Sequence, residues 1–194
     1  MNKEKKIEKH LKTKTITEEI LEWSENFLEK PSDKLGGWSV CPYAKSARLK
    51  NQVKIVEVEK SKDFLTTIVK EARTIKKQNK KLIIVACDDF NIEANELGCY
   101  TDALNHTFVM DDVYLMAFHP EDDGEEVEFL EDNLETENDF YMVLIQPYNE
   151  LEEASKTLHK KGYYDKWDKE YYQDTVIKRK TYRSIYHDGK KEKS

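Results

Sequence analysis

The sequence feature that most constrains the fold is an uninterrupted apolar run, Leu-Ile-Ile-Val-Ala, at residues 82–86. A run of this kind, with no alternation, is typical of an interior strand that is covered on both faces of its sheet. Residues 53–58 form a second strand-like stretch, and a helical repeat that begins near Ser61 connects the two. Strand, helix and strand of these lengths predict a parallel crossover, which commits the chain to a sheet with helices packed against it.

Further segments extend this sheet and its helices. Residues 113–118 and 140–145 are aromatic and aliphatic, which predicts two more strands. Thr15 and Glu18 have the spacing of a capping box, so a helix is expected to begin there, and residues 151–158 predict a later helix. The predicted fold class is α/β, or α+β, with a mixed sheet of about four strands flanked by helices. A thioredoxin-like topology is favoured, with a ferredoxin-like sandwich as the alternative.

Charge and apolar content divide the chain into one domain with polar extensions. Residues 15–172 are expected to form a single domain, because a chain of 194 residues is long enough for one sizeable core. Residues 1–14 are lysine-rich with few apolar side chains and are predicted to be a disordered basic arm. Residues 121–139 carry many carboxylates and no basic side chain, which indicates an acidic insertion, and residues 173–194 are expected to be a basic tail.

Composition limits the compartment and the partners. No apolar run is long enough to cross a bilayer, so we expect a soluble protein without a membrane partner. The three cysteines are widely spaced and form neither a disulfide framework nor a zinc motif, which favours the reducing cytoplasm. With a formal net charge of −7, binding of nucleic acid is not expected. The sequence predicts no cofactor and identifies no protein partner.

Cys41 is the residue at which reactive chemistry and a structural signal coincide. It precedes Pro42, and a proline at the first helical position favours a helix start. If Cys41 is the N-cap of a helix at residues 42–49, free backbone N–H groups surround its thiol and are expected to lower its pKa. Lys45 and Arg48 on that helix would add cationic stabilisation of the thiolate. Cys41, Lys45 and Arg48 are therefore the candidate catalytic residues.

Neighbouring side chains complete this candidate site. Trp38 and Tyr43 are expected to form its walls as binding residues, and Asp88 and His119 are expected to lie near it across the sheet. Alternatively, Cys41 and Trp38 are buried packing residues at a helix entry, since free cysteine is among the most buried residue types. Separately, Asp88 and Asp89 are also interpreted as a turn pair that caps the next helix and needs no function. His119 and the acids after it lack the spacing of a calcium loop, so no metal site is predicted.

Residues 41–45 read Cys-Pro-Tyr-Ala-Lys. This box resembles the glutaredoxin active site, Cys-Pro-Tyr-Cys-Lys, with Ala44 in place of the resolving cysteine. The resemblance implies a thioredoxin-like setting and monothiol exchange with a small thiol such as glutathione, whereas a dithiol cycle within the box is excluded. Together with the Phe-His-Pro at residues 118–120, the box also resembles an uncharacterised bacterial domain family with a Cys-Pro-Phe-Ala box, over residues 18–158. That family implies no established activity.

Two functional hypotheses follow. In the first, the protein is thiol-dependent and acts through Cys41. In the alternative, it is a non-catalytic interaction module that binds a protein or single-stranded nucleic acid through its aromatic and basic C-terminus. Bases would then stack on side chains such as Tyr164, Trp167 and Tyr171. The helical spacing of these aromatics also fits a terminal helix that packs onto the sheet, which would leave only the tail beyond it exposed.

Overall fold

A mixed four-stranded sheet forms the centre of the computed structural model, which describes residues 14–120, 127, 129–130 and 140–183. Residues 1–13 of the predicted arm, most of the acidic insertion and residues 184–194 lie outside the described residues. The strands are β1 (Val53–Glu57), β2 (Leu82–Cys87), β3 (Val113–Phe118) and β4 (Tyr141–Pro147). The α-helices are α1 (Ile16–Trp23), α2 (Ala44–Leu49), α3 (Phe64–Thr74), α4 (Ala94–Phe108), α5 (Tyr148–Lys160) and α6 (Lys169–Tyr172).

Strand pairing gives the sheet the order β1-β2-β4-β3. β1 and β2 run parallel, with Ile55 opposite Ile84, as the strand–helix–strand pattern predicts. β4 lies between β2 and β3 and is antiparallel to both, with Val85 opposite Val143. The predicted fold class, a mixed sheet of four strands flanked by helices, is therefore confirmed.

The order of the strands does not confirm the thioredoxin-like topology or the ferredoxin-like alternative. A thioredoxin-like arrangement would place a strand of the sheet before the cysteine box. In the described part of the chain the first strand follows the box, and residues 14–40 contain a single isolated bridge, between Pro31 and Ser39. Gly36 and Gly37 turn the chain in this segment with φ of 64° and 88°, a conformation that favours glycine.

One face of the sheet is covered by α3 and α4. Phe64, Ile68 and Ala72 recur at helical spacing along α3 and are at most 2% exposed. They belong to one core cluster with Ile83 and Val85, whose side chains share this face because alternate residues of a strand point the same way. This cluster contains more buried residues than the cluster around Ile20 and Trp23 on the opposite face.

The edge strand β3 is held to α4 by a side chain. Asn105 on α4 is buried, and its amide group bonds to both backbone groups of Leu115 on β3. The Leu115 N–H donates to the Asn105 Oδ1 at 2.8 Å, and the Asn105 Nδ2 donates to the Leu115 carbonyl at 2.9 Å. Asn105 thus supplies the hydrogen bonds that a further strand would otherwise make at this edge.

The opposite face is covered in part by α1, whose start is fixed by the predicted capping box. Glu18 N–H donates to Thr15 Oγ1 at 3.2 Å, and Thr15 N–H donates to the Glu18 carboxylate at 2.8 Å. Ile20 and Trp23 then pack against this face of β2 and β4. A π-helical turn (Ser24–Leu28) continues α1 toward the Cys41 segment.

The chain from residue 173 to residue 183, expected to belong to the basic tail, is helical. A π-helical turn (Gln173–Ile177) follows α6, and residues 178–183 continue the helix. Arg179 is only 2% exposed, donates to Glu152 at 2.7 Å and to Ser155 Oγ at 2.7 Å, and so ties this helix to α5. The folded domain therefore extends beyond residue 172, because these buried contacts order residues that composition alone marks as polar. Among the described residues, no helix has the length and apolarity to span a membrane.

Candidate functional site

A cleft of about 640 Å³ opens over the part of the sheet that α1 leaves uncovered. Its floor consists of aliphatic side chains from three strands: Val53, Ile55, Leu82, Ile84 and Leu144. The end of α1, α2 and the first turns of α5 form its walls. Because floor residues alternate along β1 and β2, they all point to the same face, and the cleft is an apolar basin in a heavily charged protein.

Apart from Lys50, the charged side chains at the rim of the cleft pair with one another or with neighbours. Lys81, just before β2, has its Nζ 2.7 Å from a carboxylate oxygen of Glu150 on α5. Glu153, one turn further along α5, lies 2.7 Å from the Nζ of Lys156. These two pairs neutralise the wall that α5 contributes.

Cys41 lines the cleft, but its surroundings differ from those predicted. The helix begins at Ala44 with Tyr43 as its N-cap, so Cys41 lies in the turn before it, and its N–H donates to the Leu28 carbonyl at 2.9 Å. Burial raises the pKa of the Cys41 thiol, although hydrogen bonds from the Tyr43 and Ala44 N–H groups act in the opposite direction. The expected lowering of this pKa is therefore wrong: desolvation of the thiolate outweighs the two hydrogen bonds.

Arg48 does not serve the sulfur as a cation, because carboxylates engage it. Its Nε and Nη2 lie 2.7 and 2.9 Å from the two carboxylate oxygens of Glu29, and its Nη1 lies 2.7 Å from Glu25. The hydrogen bonds from Arg48 lower the pKa of Glu29, and the Glu29 charge in turn raises the pKa of the Cys41 thiol. Lys45 is exposed on α2 and is not among the residues that line the cleft.

The two aromatic side chains that were expected to form the walls of the site lie in different places. Tyr43 lines the cleft and is 43% exposed. Trp38 packs in a different cluster, edge-on against Tyr163 at a ring distance of 5.8 Å. The Tyr163 hydroxyl also donates to the Val40 carbonyl, and burial raises the Tyr163 pKa. Tyr163 thus fixes the Cys41 segment through its contacts with Trp38 and Val40, a role that no local sequence signal indicates.

Asp88 and His119 do not join Cys41 at the cleft. Asp88 lines a separate depression of about 320 Å³ near the carboxyl end of β1, together with Glu57 and Glu59. His119 is buried, with its Nε2 2.9 Å from the Ile92 carbonyl and its ring edge-on to Tyr141. Within the described residues, no group of three or more His, Cys, Asp or Glu side chains is arranged to hold a metal ion.

The structure therefore brings together Cys41, Tyr43 and Arg48 of the predicted residues, and it adds the cleft that they border. The floor was not anticipated as a site, because its residues come from strands far apart in sequence. A signal for it was present: Val53 and Ile55, like Leu82 and Ile84, occupy alternate positions of predicted strands. The sequence did not indicate that α1 ends before it covers this part of the sheet.

Comparison with known proteins yields one match. No curated protein and no solved structure matches the chain significantly. A family model described as a domain of unknown function, DUF6875, matches residues 17–130. The match begins at the second residue of α1, includes the Cys41 segment and β1 to β3, and ends before β4 and α5. Since it covers more than half of the chain, the protein belongs to the DUF6875 family.

Proposed function

We propose that the protein binds an apolar small molecule in the Cys41 cleft. The observation that carries this proposal is the cleft itself, about 640 Å³ in volume with an aliphatic floor from three strands. Small-molecule sites in proteins typically measure about 300–1,000 Å³ and are lined mainly by apolar side chains. Burying a ligand there would also remove from water the floor residues that α1 leaves uncovered, which favours binding.

The charges at the rim favour an uncharged ligand. Arg48 is engaged by Glu25 and Glu29, and Lys81 is engaged by Glu150. A ligand with a strong net charge would have to compete with these ion pairs while it is desolvated, and burial of an unpaired charge is costly. A neutral molecule, or one with a single polar group, meets no such cost.

A thiol-dependent activity through Cys41 is our second proposal. It is supported by the position of Cys41 among the residues that line the cleft. The raised pKa keeps most of the thiol protonated at neutral pH, so this activity would require a ligand held against Cys41. Glutathione, the partner that the glutaredoxin resemblance implies, is charged and would have to compete with the ion pairs of Arg48 and Lys81 at the rim.

Binding through the C-terminus, the alternative hypothesis, has weaker support. Its aromatic side chains pack against one another, with Tyr163 buried and the Trp167 ring 5.2 Å from that of Phe129. Aromatic rings engaged in this way do not offer free faces for the stacking of bases. The alternative therefore depends on the chain beyond the described residues.

Binding of the uncharged dye Nile red tests the first proposal. Ala154 on α5 lines the cleft, so Ala154→Trp should fill it and weaken dye binding about tenfold or more, by steric exclusion. Ala103→Trp, at an exposed position of α4, is the matched control and should bind like the wild type. Circular dichroism would verify that both variants fold. Equal dye affinity in all three proteins would refute binding in the cleft.

A further inference from the structure

The two ends of the cleft differ in polarity. Ile20 and Trp23 of α1 line one end and pack with Ala86, which lies beyond the floor residue Ile84 along β2. Both α1 side chains are less than 10% exposed, so this end is apolar and covered. At the other end Lys81 directly precedes β2, and about half of its side chain is exposed. A bound molecule would therefore meet buried apolar side chains at one end and solvent at the other.

A glutamine amide lies at the solvent end of the floor. Among the strand residues that line the cleft in the described part of the chain, Gln146 is the polar one. It follows Leu144 by two residues on β4, so both side chains point to the same face of the sheet. Leu144 lies opposite Ile84, and β4 runs antiparallel to β2. Gln146 is therefore displaced from Leu144 toward the start of β2, where Lys81 lies.

The amide of Gln146 is free to bind a ligand. Within residues 14–120, 127, 129–130 and 140–183, no hydrogen bond joins this amide to another group of the protein. The amide of Gln78, by contrast, bonds to Glu71 and Thr74. Gln146 is half-buried, so a ligand over the floor would cover it. A ligand that covered the amide without replacing its hydrogen bonds to water would leave a donor and an acceptor unsatisfied, which reduces affinity.

Resting on the proposed function, we propose that the cleft selects amphiphiles with an apolar chain and one uncharged hydroxyl or amide head group, and that Gln146 binds this head group. The chain lies over the aliphatic floor, with its far end beneath α1. A hydroxyl or amide both donates and accepts, so it can bond to the Oε1 and the Nε2 of Gln146. A hydrocarbon without a head group would leave both atoms unsatisfied, and an ionic head group would lose hydration beside the paired charges of the rim.

Competition with Nile red measures the role of Gln146. The competitors are n-octanol and n-octyl chloride, which has the same chain and a chlorine in place of the hydroxyl. Gln146→Leu conserves the size of the side chain and removes the amide. The ratio of the octanol affinity to the octyl chloride affinity should fall about fivefold or more in this variant, because the hydrogen bonds of the head group are lost. This ratio cancels the difference in hydrophobicity between the two competitors.

Matched variants control for general effects of the substitution. Gln173→Leu, at an exposed position after α6, should keep the affinity ratio within about twofold of the wild type. Gln146→Met also lacks the amide and should show the same fall as Gln146→Leu, so the result does not depend on the folding of a single variant. An unchanged ratio in a folded Gln146 variant, or an equal fall in Gln173→Leu, would overturn the proposal.

Charged competitors test whether the head group must be neutral. Octanoate and octylammonium should each compete at least about tenfold more weakly than n-octanol, because their charge must be desolvated at the cleft. Lys50 also lines the cleft, and no ion pair joins it to another described residue. Tighter binding of either ion than of n-octanol would overturn the proposal. Loss of octanoate binding in Lys50→Gln would then place an anionic head group at that lysine.

Ala154→Trp separates head-group selection from ligand binding itself. If Nile red and n-octanol bound equally to the wild type and to Ala154→Trp, binding in the cleft would be refuted, and selection by Gln146 with it. If Ala154→Trp blocked the dye but n-octanol did not compete in the wild type, the cleft would bind apolar molecules of another class. If both ligands were blocked and the affinity ratio were the same in Gln146→Leu, the cleft proposal would stand and selection by Gln146 would be wrong.

Discussion

At the sulfur of Cys41, burial and backbone hydrogen bonds pull the pKa in opposite directions, and burial prevails. The rate of alkylation by iodoacetamide follows the thiolate fraction. In a Cys99→Ser variant, which removes the exposed thiol, we expect this rate to rise with pH with a midpoint above about 8.5, the value for a free cysteine. Alkylation near pH 7 should accordingly be slow.

The same titration with Cys41→Ser provides the control, because its reaction would report the exposed thiol of Cys99. A midpoint for Cys41 below about 7 would mean that the hydrogen bonds prevail over burial, and it would favour the thiol-dependent proposal. Cys41→Ser should leave Nile red binding nearly unchanged if the sulfur only lines the cleft.

The ion pair between Arg48 and Glu29 fixes α2 to the end of α1. The Glu29 side chain is 5% exposed, so its charge depends on Arg48. Because the folded-state pKa of Glu29 is lowered, the pair stabilises the fold above the unfolded pKa of about 4.3 and loses that contribution as the pH falls through the lower folded value. Arg48→Ala should therefore reduce stability at pH 7 and flatten the acid dependence of urea unfolding.

Lys156→Ala is the control for that experiment, since the pair of Lys156 with Glu153 is exposed on both sides. It should change stability little at any pH. If Arg48→Ala left the acid limb of the stability curve as steep as in the wild type, Glu29 would not be the group that titrates.

Among the elements, β3 depends on a side chain from α4 to complete its outer edge. Asn105→Leu conserves size but leaves the Leu115 N–H and carbonyl groups without their partner. We expect a loss of about 2–3 kcal/mol in the free energy of unfolding, the cost of unsatisfied buried polar groups, measured by urea denaturation. Asn95→Leu, exposed near the start of the same helix, should stay within about 0.5 kcal/mol of the wild type. Similar losses in both variants would argue against this bond pair.

Elements defined by local patterns were predictable, and contacts between distant segments were not. The capping box of Thr15 and Glu18 and each element of the strand–helix–strand pattern are determined by residues close together in the sequence. Asn105 and Arg179 are polar residues in helices, and only the folded chain reveals that their partners bury them. The Cys41 segment was located from its motif, but its pKa depends on burial by residues elsewhere in the chain, so the predicted direction was wrong.

The two faces of the sheet are covered to different extents, and β2 contributes side chains to both faces. Ile83 is fully buried beneath α3 and α4, whereas its neighbour Leu82 forms part of the cleft floor. Ile83→Ala should cost about 3–4 kcal/mol of unfolding free energy, because it leaves a closed cavity. Leu82→Ala should cost only about 1 kcal/mol, since the methyl groups it removes are partly in contact with solvent already.

Urea denaturation of the two variants measures this difference, and dye binding supplies the independent readout. Leu82→Ala should alter Nile red affinity, while Ile83→Ala, studied where it remains folded, should leave the affinity nearly unchanged because its side chain points to the other face. Equal losses of stability would mean that the cleft floor is packed as tightly as the covered face. In that event the protein would lack the open apolar surface on which the proposed ligand binding depends.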